Sequence, residues 1–451
     1  MKAAPIDLVV LNDQAAVTGG SSAVAIASAR EMAARGHRVT FLAGVGPVAP
    51  ALRNVPNLEV VCLDGREIAA DPNRWRAFAT GIRNSTAVDA VREVLSRCRA
   101  GSTLVHVHSW TKSLSPFAVA AAEESGCPVV VTLHDYFIAC PNGGFFVHGQ
   151  NQLCERVPLS RACWGCRCDR RNYAQKLWRA GRTVVQNRVL RVPARVARFV
   201  AVSRFSLDRL RPYLPAEVAA SVVRNPIDAP AGGAVDVAAN RAFVFVGRLE
   251  PEKGALLAAQ AAAAAGLPAT FVGDGPLRDA IRRACPAARF TGWLDAEEVR
   301  RELRRARCLV FPPLWHETLG LVVVEAAALG VPAIVADRSA ATDMVTDGVN
   351  GRTFEHGSVP ALAEVMQEFA ANSAMTARLG RAAFDWYWDE PWTSQRHGDE
   401  LAVVYDEVLT AWSRRENGGN RHADVDRIGA GSGRSLSLRG DAVPASDGAR
   451  R

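Results

Sequence analysis

Short apolar runs recur along the chain at regular intervals, with helix-like spacing between them. IDLVVLND is followed by helical spacing after Ser21, then by RVTFLAG and LEVVCL. A helix is predicted around Arg76 to Arg97, then come TLVHVHS, a helix ending near Ser125, and PVVVTLHD. Strands that alternate with helices in this way predict a parallel, doubly wound sheet. The strand RFVAVS and a turn at Ser203 close this first series. The rhythm then restarts with RAFVFVG (Arg241 to Gly247), an alanine-rich helix, ATFVGDGP, CLVFPP (Cys308 to Pro313) and the helix formers VVVEAAALG, which stop at Gly330. WYWDEPWTSQ leads into a last predicted helix, from Ser394 to Ser413.

A chain of 451 residues exceeds what one core supports, and its 49% hydrophobic content suffices for two. The pattern divides it into an N-terminal α/β domain over residues 1–228 and a C-terminal one over 229–390, joined by the Gly- and Ala-rich stretch 229–240. A helix over 391–415 and a Gly-, Arg-, Ser- and Asp-rich tail over 416–451, predicted to be disordered, complete it. No apolar run reaches the roughly 18 residues of a membrane span, and MKAAPIDLVVLND does not resemble a signal peptide, so a cytoplasmic protein is expected.

The net charge of +8 raises nucleic-acid binding, but the charge is unevenly spread. Nine Lys or Arg and no acid lie between Arg170 and Arg198, and eight Arg against five acids lie in the tail from Arg414, which leaves the rest of the chain net acidic. Within the basic segment (170–198), Val185, Val189, Val192 and Val196 share one helical face, and Arg188, Arg191, Arg195 and Arg198 another. Such a helix suits the inner face of an anionic membrane, although Pro193 interrupts it. Just upstream, a Cys-rich insertion (about 140–168) holds half of the ten cysteines. Cys140, Cys154, Cys163 and Cys166 have the short C-x-x-C bite of a structural zinc site, with free buried thiols as the alternative.

The richest chemistry lies in the second half. Glu317 and Glu325 stand eight apart in HETLGLVVVE, the first on a loop, the second about two turns into the predicted helix. The free N–H groups at that helix start, near Leu321, suit phosphate oxygens, and a carboxylate farther along suits paired ribose hydroxyls. Arg248 and Lys253, a fork and a point charge five residues apart after RAFVFVG, suit a diphosphate. Gly273 and Gly275 allow a tight turn with exposed backbone. All stand at the carboxyl ends of successive strands, where ligands bind in open α/β sheets.

These motifs, GRLEPEKG, VGDGPL, FTGWL, HETLGLVVVEAAALGVPAIVAD and DGVNGRTF, over roughly Phe243 to Phe354, resemble the nucleotide-binding half of retaining glycosyltransferases of family 4. The resemblance implies the GT-B fold: α/β, two Rossmann-like doubly wound domains facing a cleft. By motif position it implies that Arg248 and Lys253 hold the donor diphosphate, Glu325 the nucleotide ribose and Glu317 the transferred sugar. Gly273, Leu319, Gly320 and Leu321 would complete the donor site. It further implies that Gly19 and Gly20, after the first strand, face the donor phosphates, and that His134 lies near the donor sugar. The chain departs from the family at Leu319, where Phe is common, and at Trp315-His316, beside the sugar pocket. The expected activity is retaining transfer from a UDP- or GDP-type sugar nucleotide to a sugar or lipid-linked acceptor, in surface polysaccharide or glycolipid synthesis. No metal is expected in catalysis, since no D-x-D motif ends a strand. The rivals are a sugar-nucleotide epimerase of similar fold and a non-enzymatic, metal-stabilised nucleic-acid-binding protein.

Overall fold

A computed structural model describes residues 5–99 and 101–429. Nine strands fall in the first half: β1 (Asp7–Gln14), β2 (Arg38–Val45), β3 (Leu58–Cys62), β4 (Thr103–Val107), β5 (Val129–Leu133), the short β6 (Phe146–Val147) and β7 (Gln152–Leu153), β8 (Arg198–Ala201) and β9 (Ala219–Val222). The second half holds β10 (Ala242–Val246), β11 (Ala269–Val272), β12 (Arg289–Gly292), β13 (Ala306–Phe311), β14 (Ala333–Ala336) and β15 (Gly351–Phe354). Two wholly parallel sheets result, ordered β3-β2-β1-β4-β5-β8-β9 and β12-β11-β10-β13-β14-β15, with β6 and β7 forming a separate antiparallel pair. All eight residues of β1 and all six of β13 are buried, as central strands covered by helices on both faces require.

The helix expected from Arg76 to Arg97 is two helices, Arg74–Ile82 and Ser85–Ser96. Each starts on an asparagine cap: Asn73 accepts from Arg76 N and Asn84 from Ala87 N, and Arg83 and Asn84 are extended between them. The basic segment is not one amphipathic helix either. It forms an α-helix over Tyr173–Val184, a π-turn over Val185–Val189, a left-handed Arg191 and a single turn over Val192–Arg195 that carries Pro193 at its start. Val192 and Val196 enter the first-half core, while Val189 is exposed. Arg195 lies 3.6 Å from Glu123 and Arg198 2.9 Å from Glu407, so these cations do not form a free stripe for a membrane or a nucleic acid. No helix among the described residues is long and apolar enough to cross a membrane.

Among the described residues no group of three or more His, Cys, Asp or Glu, the expected Cys140, Cys154, Cys163 and Cys166 included, is placed to hold a metal ion. Cys154, Cys166 and Cys168 pack around Val147, and Cys140 belongs to the first-half core. Cys163, on the short helix Arg161–Gly165, instead accepts from the fully buried Lys176 Nζ at 3.2 Å.

The last helix, Ser394–Gly429, returns to the first half, where Leu401, Val404, Tyr405 and Val408 join the core that covers β1 and β2. Its Tyr405 hydroxyl lies 2.6 Å from His106 Nδ1, and its His397 Nε2 2.8 Å from Ser28 Oγ. It runs past the expected end at Ser413 into the stretch predicted to be disordered; the rest of that stretch, 430–451, lies outside the described residues. The chain thus passes between the halves twice, and the two passages touch: Ile227 N donates to Trp392 O at 2.7 Å, and Ser394 N and Oγ donate to the Asp228 carboxylate at 3.0 and 2.7 Å.

Candidate active site

β10 and β13 are neighbours at the middle of the second sheet, and their crossovers leave toward opposite edges, so a crevice opens beyond their carboxyl ends. Arg248 follows β10, and the loop Trp315 to Gly320 follows β13. From the first sheet, β1 delivers Gly20, β4 His108 and β5 His134. Gly20, His134, Arg248, Lys253 and Glu317 line one cavity of about 430 Å³ between the sheets, together with Leu319, Gly320 and Leu321. Gly19, Gly273 and Glu325 are not on its wall.

Close backbone approach positions the second-half loops. Gly254 has φ 71°, and a Cβ there would stand 1.8 Å from Pro312 O, so only glycine lets this loop dock on the exit of β13. The Glu252 carbonyl accepts from Leu314 N at 2.9 Å and Trp315 N at 3.3 Å, which ties the two loops together. Lys253 Nζ therefore sits 4.8 Å from the centre of the Trp315 ring and 2.5 Å from Glu317 Oε2, an oxygen that also accepts from Trp315 Nε1 at 2.9 Å. Arg248 Nη1 is 2.5 Å from Glu250 Oε2. Gly320, at φ 92°, caps the helix Leu321–Ala328, whose first turn carries no acid.

Two expected positions change meaning. A Cβ on Gly273 would meet Gly247 O at 2.1 Å, and Leu249 N donates to Asp274 O at 2.9 Å, so this turn buttresses the Arg248 loop from behind. Glu325 is the fifth residue of its helix, just over one turn in, because the helix starts only at Leu321. It is half-buried, burial raises its carboxyl pKa against the nearby charge of Arg300, and its side chain has no hydrogen bond or ion pair among the described residues.

The first half closes the cavity. Ser22 Oγ accepts from Thr18 N and Gly19 N at 2.9 and 3.2 Å, ordering the glycine loop at the start of the helix Gly20–Ala34. Gly20 lies opposite Leu321, with 3.8 Å between a Cβ position and Leu321 Cδ1, so two helix N-termini flank one space. His134 Nε2 lies 2.9 Å from His108 Nδ1, and burial pushes His134 down to about 3, which keeps its imidazole neutral. Burial also pushes the neighbouring Asp135 up to about 6, against the Phe137 N–H it accepts. Thr318 joins the halves: its Oγ1 donates to His134 O at 3.0 Å, and its carbonyl accepts from Ser203 Oγ at 2.6 Å.

Lys112, Tyr136, Asn225 and His316 also line the cavity, and sequence patterns gave no reason to place Lys112, Tyr136 or Asn225 there. The Tyr136 hydroxyl and both ring nitrogens of His316 are buried without a hydrogen-bond partner among the described residues. Arg248, Lys253 and the start of helix Leu321–Ala328 from the second half, facing Lys112 and the start of helix Gly20–Ala34 from the first, favour phosphate oxygens, and the neutral polar groups between them favour hydroxyls.

Two family models match this chain: "Glycosyltransferase Family 4" over residues 18–229 and "Glycosyl transferases group 1" over residues 238–386. A GDP-mannose-dependent alpha-mannosyltransferase of Corynebacterium glutamicum is 31% identical over 165 residues, 35% of this chain and 40% of the relative. A glycogen synthase of Mycobacterium tuberculosis is 32% identical over 187 residues, 37% of this chain and 45% of the relative. The chain thus spans less than half the length of these curated relatives. In fold it is similar to a sucrose-phosphate synthase of Thermosynechococcus elongatus, with a TM-score of 0.63 at 17% identity over 90% of this chain and 100% of that one. Anabaena HepE, solved in complex with UDP and glucose, gives 0.59 at 15% identity over 89% of this chain and 100% of that one.

Proposed function

The chain belongs to the GT-B glycosyltransferases of the family 4 and group 1 type, and from that premise we propose that it moves a hexosyl group from a UDP- or GDP-type sugar nucleotide onto an acceptor with retention of anomeric configuration. The observation that carries this reading is the convergence of Arg248, Lys253, Glu317 and the start of helix Leu321–Ala328 with Gly20 and His134 around one cavity. The halves that supply them are separate sheets, and no purely structural need brings two cations and two helix N-termini to one water-accessible space.

In the proposed reaction the bond from the anomeric carbon to the diphosphate oxygen breaks while the acceptor oxygen bonds to the same face of that carbon. The acceptor proton passes to the departing phosphate. Arg248, Lys253 and the N–H groups near Leu321 stabilise the charge that develops on the leaving diphosphate, the kind of electrostatic contribution that carries much of the rate in such reactions. Glu317 is already occupied by Lys253 and Trp315, which favours transfer without a covalent glycosyl–enzyme. Glu325, half-buried and with its acceptor capacity unused, is assigned to the ribose hydroxyls. Relatives named for mannosyl transfer to phosphatidyl-myo-inositol and for glycogen synthesis support a glycolipid or polysaccharide acceptor.

Calorimetry with UDP, GDP and ADP tests the site, and the anomeric configuration of the product from UDP-glucose or GDP-mannose tests the outcome. Lys253→Ala and Glu325→Ala should each lower transfer by about two orders of magnitude or more with little change in melting temperature. Near-normal transfer in both variants would refute the assignment.

A further inference from the structure

Glu250 lies between two arginines from opposite halves of the molecule. Its Oε2 is 2.5 Å from Arg248 Nη1, on the cavity wall, and its Oε1 accepts from Arg170 Nη1 at 2.8 Å. Arg170 belongs to the first half, on the loop that leaves the Cys-rich insertion before the helix Tyr173–Val184. It also lies 3.8 Å from Glu252 Oε1, and His148 Nδ1 of the insertion lies 3.9 Å from Glu252 Oε2. Glu250 and Glu252 are 7% and 4% exposed. Burial acts to raise Glu250, but the hydrogen bond from Arg170 and the charge of Arg248 hold it below the usual carboxylate range; burial pushes Glu252 up, with the charge of Glu250 adding.

A carboxylate this enclosed needs compensation. Were Arg248 its only cation, Glu250 would cancel that charge and hold the guanidinium toward itself. With Arg170 on the other oxygen and 3.8 Å from Glu252, the charge of this carboxyl pair is met by a second guanidinium, so less of the Arg248 charge is cancelled beside the cavity. We propose that Arg170 is a positioning residue for the donor diphosphate: acting through Glu250, it fixes the Arg248 fork and leaves its charge available, so the insertion completes the donor site when the halves meet.

This inference rests on the donor reading above, and binding by the wild type beside a set of variants separates the two. UDP, GDP and ADP are titrated by calorimetry into the wild type, Arg170→Ala, Arg248→Ala and the double variant. Arg170→Ala should weaken binding by about tenfold, the size expected for a charge-assisted contact. In the absence of Arg248 the same change should cost about twofold or less, since coupled residues are not additive. Arg170→Lys should restore part of the affinity, as a point charge without the fork. Arg170→Ala binding like the wild type, or the same loss with and without Arg248, overturns the inference while leaving the donor site intact. A wild type that binds none of the three diphosphates overturns the donor reading and this inference with it. Arg170 has a half-exposed side chain, so the fold should survive its loss, and Arg170→Gln, which removes the charge and keeps a donor, decides the matter if Arg170→Ala fails to fold.

Discussion

Lys253 meets an acid before it can meet a phosphate. Its contact with Glu317 Oε2 at 2.5 Å means that an arriving diphosphate competes with a carboxylate for the ammonium. Glu317→Gln should therefore bind free UDP or GDP as tightly as the wild type or a few-fold more tightly, while transfer from the sugar nucleotide falls by about a hundredfold; parallel losses in both measurements would contradict this role. Asp135 gives a second expectation. Its carboxyl is raised to about 6 in the fold against 3.8 in the open chain, so folding favours its protonated form. That contribution is full below pH 3.8 and is lost as the pH rises through 6. Asp135→Asn should thus melt higher than the wild type at pH 7.5, by up to about 2–3 kcal/mol of stability, and no higher at pH 3.5, as thermal scans at the two values would report. The place of Arg248, Lys253, Glu317 and Gly320 on one cavity was legible in the sequence because each follows closely on the end of a strand, β10 or β13. Tyr136 and Asn225 were not, because their place on the wall follows from how the two sheets approach, which no local pattern records.

At the level of elements, strand and helix alternation was readable because parallel strands are apolar throughout and helices between them are not. What failed was length and continuity. One predicted helix became two because Asn84 caps a second start, and the basic segment broke where Arg191 turns left-handed ahead of Pro193. Gly273 shows how a motif residue can act without touching a ligand. Its φ of 130° and its approach to Gly247 leave no room for a side chain. Gly273→Ala should lower the melting temperature by several degrees and weaken UDP binding in the same variant, because the Arg248 loop moves with the turn. Gly19, with φ 173° and nothing within 4 Å of a Cβ position, should accept alanine with an unchanged melting temperature. Wild-type melting of Gly273→Ala would remove the buttress argument.

Across the whole molecule, the halves are held together at the cavity by Thr318 and Arg170 and at the far side by two adjacent passages of chain. The two-domain plan was visible in the restart of the strand pattern after residue 240, and so was the final helix, but its anchoring partner was not. Tyr405 reaches His106 in the middle of the first sheet, a contact between residues 299 positions apart. Tyr405→Phe should leave a buried ring nitrogen unpaired and cost about 1–3 kcal/mol, read as a lower midpoint in urea; an unchanged midpoint would mean the helix is held by its apolar face alone.

Because the chain's final helix is built into the opposite lobe from the segment that precedes it, the first lobe is made of two separate stretches of polypeptide, with the whole second lobe inserted between them. A chimera that grafts the sugar-nucleotide half of a relative onto this scaffold must therefore be spliced at two places, near residues 228 and 393, and a single exchange at the linker would strip the recipient lobe of one of its covering layers.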